Sequence, residues 1–162
     1  MSNLNDFKIE GDVLVKYWGS DDNVIIPDDG TVTALGDYCF VCCESLESIT
    51  IPSSVTHLGN HCFYECFSLK SIMLSSSVTY LGNFCFAECY SLKSIKIPNS
   101  VSFLGDYCFY VCDSLESITI PSSVTSLGNH CFSGCDNLTI YAEEGSAAAE
   151  YAKKNGIKLE LI

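Results

Sequence analysis

Apolar positions recur along this chain in a frame of 23 residues, through segments running from Ile49 to Ser71, Ile72 to Ser94, Ile95 to Ser117 and Ile118 to Thr139. Stacked, they read I-x-[IL]-[PS]-x-S-V-[TS]-x-L-G-x-x-C-F-x-x-C-x-[SN]-L-x-S, the last ending at Thr139. An upstream copy keeps the frame from Val32 to Ser48, with two extra residues between Pro27 and Val32. A unit this short cannot bury its own apolar face, so neighbouring units must stack, and the pattern predicts a solenoid. Within each unit a stretch such as Ser45 to Pro52 alternates polar and apolar residues, which predicts a short parallel strand. Pro52, lacking an N–H, suits the point where pairing stops. Val55, Leu58, Cys62 and Phe63 then follow at mixed helical spacing after a turn permitted by Gly59, which predicts a short helix ending near Cys66 on the return side.

The ends depart from the frame. Phe7 to Glu10 and Val13 to Trp18 alternate around Gly11-Asp12 and predict a β-hairpin cap. Gly19 to Asn23 is a polar turn, and Val24 to Pro27 resembles the strand that opens the later units. Ser146 is placed to cap a helix over Ala147 to Asn155, with Lys153 and Lys154 near its negative end and Gly156 at its stop. Ile157 to Ile162 alternates as a last strand. The expected organisation is one domain: an N-terminal cap over residues 1–23, five repeats over 24–139 and a C-terminal cap over 140–162.

Charge narrows the partners. The chain of 162 residues carries a net charge of -12, has no Arg, and spreads its eight Lys without a basic run. That removes the footprint of a nucleic-acid binder. Ten of the twenty acidic residues precede Ser48, whereas between Ser48 and Gly105 only Glu65 and Glu88 oppose Lys70, Lys93 and Lys96. The acidity belongs to the ends, where it favours solubility. No apolar stretch approaches the ~20 residues of a membrane span, and the start Met1-Ser2-Asn3-Leu4-Asn5-Asp6 lacks the pattern of a signal peptide. The location of the protein stays open.

Eleven cysteines are the strongest chemical signal. Cys39, Cys62, Cys85, Cys108 and Cys131 form one column, Cys43, Cys66, Cys89, Cys112 and Cys135 another, and Cys42 stands alone. The favoured arrangement is a buried ladder of thiols, since Cys packs as a small hydrophobe and its S–H can meet backbone carbonyls. A second is a metal site built from pairs such as Cys62, Cys66, Cys85 and Cys89, with two adjacent units supplying four thiolates. A third is disulfides between units, for which stacked strands ~4.8 Å apart are permissive. So many free thiols would favour a reducing setting.

Catalysis finds no support in the pattern. His57, His61 and His130 are the only histidines, none set in a repeated arrangement with a Ser nucleophile and a carboxylate. Each Leu-Gly step carries a single Gly, too few for a phosphate-cradling loop. No cofactor and no enzymatic activity are expected. The positions that vary between units are the candidate binding surface. On the strand side these are Lys70, Lys93, Lys96 and Met73, beside a row of Ser48, Ser71, Ser94 and Ser117. On the return side they are aromatic rows containing Tyr64 and Tyr110, Tyr90, Tyr80 and Phe103, and Tyr107. Exposed aromatic rows mark interaction surfaces; alternatively they shield one another by stacking.

The spacing Cys66-x-x-Leu69-x-x-Ile72-x-Leu74 with Leu81-Gly82-x-x-Cys85-Phe86 resembles the treponemal class of leucine-rich repeats, as found in BspA-like proteins. The opening Phe7-x-Ile9, Leu14-x-x-Tyr17-x-Gly19 and the closing Ile140-Tyr141-Ala142 through Ile157 look like the caps of that family. The resemblance spans Phe7 to Ile162. It implies an α/β repeat solenoid, a right-handed superhelix with short parallel strands on one face and short helices on the other. It also implies a non-enzymatic binding or adhesion module of a surface or secreted protein, with a protein partner such as a host extracellular or cell-surface protein. As assembly, a monomer or weak homo-oligomer is expected. Two other readings stay open: a structural or engineered consensus scaffold with no evolved ligand, and a metal-binding protein using the cysteine columns.

Overall fold

The computed structural model describes residues 4–162, so residues 1–3 of the expected N-terminal cap lie outside the described residues. Strands β1 (Phe7–Glu10) and β2 (Val13–Tyr17) pair antiparallel around Gly11, whose φ of 65° suits the turn, with a bulge between Lys8 and Ile9. This is the hairpin expected from the alternation. Each coil that follows contributes a three-residue strand and then a two-residue one. In chain order these are β3 (Asn23–Ile25), β4 (Ala34–Leu35), β5 (Ser48–Thr50), β6 (His57–Leu58), β7 (Ser71–Met73), β8 (Tyr80–Leu81), β9 (Ser94–Lys96), β10 (Phe103–Leu104), β11 (Ser117–Thr119) and β12 (Ser126–Leu127). The chain closes with β13 (Thr139–Ala142), α1 (Ala147–Asn155) and β14 (Lys158–Leu161).

The short strands stack in register. One sheet runs β1-β2-β4-β6-β8-β10-β12, and every step after the hairpin is parallel. The longer strands form a second face in two blocks, β3-β5-β7 and β9-β11-β13-β14. Between the two faces the interior holds one side chain of each kind per coil. Phe40, Phe63, Phe86, Phe109 and Phe132 stack with ring centroids 5.0 to 5.3 Å apart. Tyr17 closes this column at one end and Tyr151 at the other. Burying each such ring contributes about 2–3 kcal/mol, so the column is a principal source of stability. At the C-terminal end, Ser146 Oγ accepts from Ala149 N–H and Gly156 adopts the left-handed conformation, as the capping pattern predicts. Among the described residues no helix is long and apolar enough to cross a membrane.

The return side differs from the expectation of short helices. Among the described residues α1 is the only α-helix, and Asn60 to Cys66 and its equivalents form a series of tight turns instead. Two positions per coil show why. Tyr38, His61, Phe84, Tyr107 and His130 have φ between 53° and 58°, as do Cys42, Glu65 and Glu88 near 60° and Val111 at 52°. Left-handed residues at every fourth position break a helix, and they turn alternate peptide groups outward along the solenoid axis. His61 N–H donates to Asn83 O, Phe63 N–H to Cys85 O and Glu65 N–H to Ala87 O, at 2.8 to 3.0 Å. The same ladder recurs from Tyr38, Phe40 and Cys42 and from Phe84, Phe86 and Glu88. The Cys62/Cys66 spacing mimics a helix because successive turns also return a side chain inward every four residues.

The coils approach closely at the Leu-Gly step. A Cβ on Gly105 would lie 2.5 Å from the backbone of Gly82 and Asn83, a separation no side chain tolerates. The residue after each of these glycines completes the packing. Asn60 N–H donates to Asp37 Oδ1, Asn83 N–H to Asn60 Oδ1, Asp106 N–H to Asn83 Oδ1 and Asn129 N–H to Asp106 Oδ1, at 2.6 to 2.9 Å. Gly105→Ala is therefore expected to destabilise the chain by about 3 kcal/mol through overpacking against backbone. Thermal unfolding with an unchanged midpoint would contradict this packing.

Candidate binding surface

The strand face collects the residues that vary from coil to coil. Register pairs Ile25 with Thr50 and Met73 in the first block, and Lys96 with Thr119, Tyr141 and Glu160 in the second. Beside them run Asn23, Ser48 and Ser71, then Ser94, Ser117 and Thr139. Alternation sends these side chains outward, with Thr139 alone among them buried, and Ile49, Ile95 and Ile118 inward. Lys70, Lys93, Lys96 and Met73 all lie exposed on this face, as the sequence predicts for a strand column. Lys70 Nζ pairs with Glu47 Oε1 at 2.7 Å, whereas Lys93 and Lys96 have no acidic partner among the described residues.

The ladder of this face stops after β7 and restarts at β9. Ile72 and Leu74 are only half-buried there, while their equivalents Ile49, Ile95, Ile118, Ile51, Ile97 and Ile120 are buried. The break coincides with Ser75, the one position of its column within the repeats where the strand is not followed by Pro. A groove of about 620 Å³ opens at this point, lined by Thr50, Ile72, Met73, Leu74, Lys96 and Pro98 among others. Met73, 66% exposed, stands on its rim. The groove thus joins an apolar floor to an uncompensated positive side, within a chain that is otherwise acidic.

The aromatic candidates sit elsewhere and mostly face one another. Tyr80 stacks on Phe103 at 5.3 Å on the two-residue-strand sheet. Tyr107 is one ring of a continuous stack of Tyr38, His61, Phe84, Tyr107 and His130, with centroids 4.6 to 5.1 Å apart, and Tyr110 meets it edge-on. Tyr64 and Tyr90 donate their hydroxyls to the two oxygens of Glu88, at 3.0 and 2.8 Å. That bond pushes the Tyr90 hydroxyl up to about 12. Of the six aromatic candidates Tyr90 alone is exposed, and within the ring stack the exposed members are the two end rings, Tyr38 and His130. The groove brings Lys96 and Met73 together, and none of the aromatic candidates lines it.

Nine of the eleven cysteines are buried, Cys43 is half-buried and Cys42 exposed, and all are free. Cys66, Cys89, Cys112 and Cys135 Sγ donate to the carbonyls of Phe40, Phe63, Phe86 and Phe109 at 3.0 to 3.3 Å, so this column satisfies the left-over acceptors of the turns. Burial raises the thiols of Cys62, Cys66, Cys85, Cys89, Cys108 and Cys131 well above their ordinary range or in that direction. Cys43 is pushed by burial up to about 11. Thiolates, the form a metal needs, are disfavoured at every one of these positions. Among the described residues no group of three or more His, Cys, Asp or Glu is arranged to hold a metal, so Cys62, Cys66, Cys85 and Cys89 do not converge as the metal reading required. The local signal for the ladder of Asp37, Asn60, Asn83, Asp106 and Asn129 was present in every Gly-[Asp/Asn] pair, but its partners lie one coil away.

Comparison with known proteins places this geometry. A family profile described as BspA type leucine rich repeat region matches residues 17–139 in six copies. The crystal structure of the T. pallidum leucine rich repeat protein superposes with a TM-score of 0.83 at 29% identity, covering 86% of this chain and 70% of that one. A leucine rich cell surface protein from Faecalibacterium prausnitzii matches at 35% identity and a TM-score of 0.77, over 90% of this chain and 38% of that one. A leucine-rich repeat protein from Bacteroides ovatus matches at 31% identity and a TM-score of 0.67, over 87% and 42%. The chain thus spans well under half of these last two proteins. No curated protein matches by sequence.

Two measurements check the interior. An aromatic disulfide reagent is expected to titrate Cys42 promptly in the folded protein, Cys43 slowly, and the nine buried thiols only after denaturation. Prompt reaction of several thiols would contradict the ladder. The ring stack carries a pH signature as well. Burial between Tyr38 and Phe84 lowers the His61 pKa from its ordinary 6.5, and its Nδ1 is buried without a partner. The folded state therefore binds this proton less readily than the unfolded chain, so the stabilising contribution is full above about pH 6.5 and is lost as pH falls through the lowered value. His61→Phe, matching Phe84 in the same column, is expected to reduce the drop in melting temperature between about pH 7 and pH 5; an unchanged drop would contradict the assignment.

Proposed function

The chain belongs to the BspA-type leucine-rich-repeat family, and on that premise we propose that it acts as a non-enzymatic adhesion module of a surface or secreted protein, binding a protein partner through its strand face. The family is one of repeat scaffolds that serve as protein-interaction modules. The observation that carries the reading is the groove beside β7, where exposed Met73 and the half-buried Ile72 and Leu74 adjoin Lys96, while Lys93 precedes the same strand β9, and neither lysine has an acidic partner among the described residues. Desolvating an apolar anchor ringed by unsatisfied positive charge favours a partner that presents an apolar side chain within an acidic segment.

A surface location is supported by the Faecalibacterium protein, 35% identical and described as a cell surface protein. A host extracellular or cell-surface protein is the partner class consistent with that location. The aromatic rows are secondary candidates, with Tyr90 the most accessible of Tyr64, Tyr80, Tyr90, Phe103, Tyr107 and Tyr110.

The test is retention of the purified chain on immobilised extracellular-matrix and cell-surface proteins. The double substitution Lys93→Glu with Lys96→Glu reverses the charge beside the groove, and Met73→Asp removes its apolar rim. All three residues are exposed, so the fold is expected to survive. Binding by the wild type, weakened at least about 10-fold by either variant, is the expected outcome. Equal retention of wild type and variants would remove the strand face from the account, and no retention above a scrambled control would remove adhesion.

A further inference from the structure

The two ends of the solenoid are closed unequally. At the C-terminal end α1 packs against β12, β13 and β14, but among the described residues nothing pairs with the outer edge of β14. Ile162 N–H donates to Ala142 O, and the register pairs Ala142 with Leu161. In a parallel ladder this parity turns residues 158, 160 and 162 toward β13, so Leu159 and Leu161 direct their N–H and C=O groups outward. Such an edge is a template for another strand. The opposite end is guarded by charge instead, since β3 follows Asp21 and Asp22 directly.

We infer that β14 pairs antiparallel with β14 of a second copy of this chain, about a two-fold axis through Leu159. This inference stands apart from the strand-face reading. Self-pairing fixes the register by chemistry. Centred on Leu159, the pair sets Lys158 opposite Glu160 of the partner subunit, and Glu160 opposite Lys158 of the partner subunit, on the exposed face. On the other face it sets Ile157 opposite Leu161 of the partner subunit, with the two Leu159 side chains between. Leu161 is 54% exposed, an apolar side chain that this pairing covers. Shifting the centre to Glu160 places two carboxylates against each other, so the sequence opposes that register.

The backbone agrees with the same centre. Leu159 N–H and C=O both point outward, as a directly hydrogen-bonded antiparallel pair requires. Each Leu161 N–H then reaches Ile157 O of the partner subunit. The Ile157 N–H is already committed to Ala152 O at 2.9 Å, so it takes no part. Two bonds between the Leu159 residues and one from each Leu161 join the strand faces of two solenoids into one sheet. Lys158 and Glu160 are already held together on their own strand at 3.3 Å, so the alternating charges are positioned before association. An interface this short falls in the small, transient class.

Sedimentation velocity at about 0.15 M salt, where repulsion between two acidic chains is largely screened, tests the assignment. The wild type is expected to show a concentration-dependent dimer at about 100 µM, as suits a small interface. Leu161→Pro removes only an outward N–H from an exposed position and is expected to raise the dimer dissociation constant at least about 10-fold, with the melting temperature confirming an intact fold. Lys158→Glu and Glu160→Lys are each expected to weaken self-association, whereas an equimolar mixture of the two restores it as a heterodimer. A chain that stays monomeric, a dimer indifferent to Leu161→Pro, or charge variants that fail to complement in the mixture would each overturn the inference.

Discussion

Everything in this molecule depends on how closely one coil lies on the next. The spacing is held on all sides at once: by two strand ladders, by the ladder of turn amides on the return side, and by backbone-to-backbone contact at Gly59, Gly82, Gly105 and Gly128. At that distance identical residues of neighbouring coils must touch. The interior therefore becomes columns, with Phe on Phe and Cys beside Cys, and any residue that cannot stack on its own kind is excluded from it. The short side chains after each Gly fit the same constraint, because only Asp or Asn reaches the next backbone N–H without filling the gap.

That constraint divides the chain between structure and recognition. Positions that face inward or along the axis have little freedom, and the buried thiols belong with them: the S–H groups of Cys66, Cys89, Cys112 and Cys135 complete the turns, and burial disfavours the thiolate of Cys62, Cys66, Cys85, Cys89, Cys108 and Cys131. Side chains that point outward vary without disturbing the stack, on the strand face and in the ring rows of the return side. Where variation reaches Ser75 and Leu74, it coincides with a broken ladder and a groove between β7 and β9. The place where the repeat is least regular is thus also the place proposed to hold a partner.

Much of this was legible from local pattern. The hairpin, the strand of each coil, the Ser146 and Gly156 caps and the last strand all follow from alternation or capping within a few residues. The return side was not legible, because Cys62 and Cys66 have helical spacing while the left-handed residues His61 and Glu65 just before each of them break the helix, and no feature of a single coil betrays where Phe63 N–H finds its acceptor. The aromatic rows of Tyr64, Tyr80, Tyr90, Phe103, Tyr107 and Tyr110 were visible as columns, but whether a column presents faces or edges depends on the stacking distance between coils. The groove was visible only as a missing Pro.

Amide-resolved hydrogen exchange tests the central claim most directly, since it asks whether the return side is framework or loop. The amides of Phe40, Phe63, Phe86 and Phe109 each donate to the following coil at 2.8 Å. They are predicted to exchange as slowly as those of the strand face and to open only with global unfolding. Fast exchange at these four amides, with the strand amides still protected, would contradict a stack held from every side.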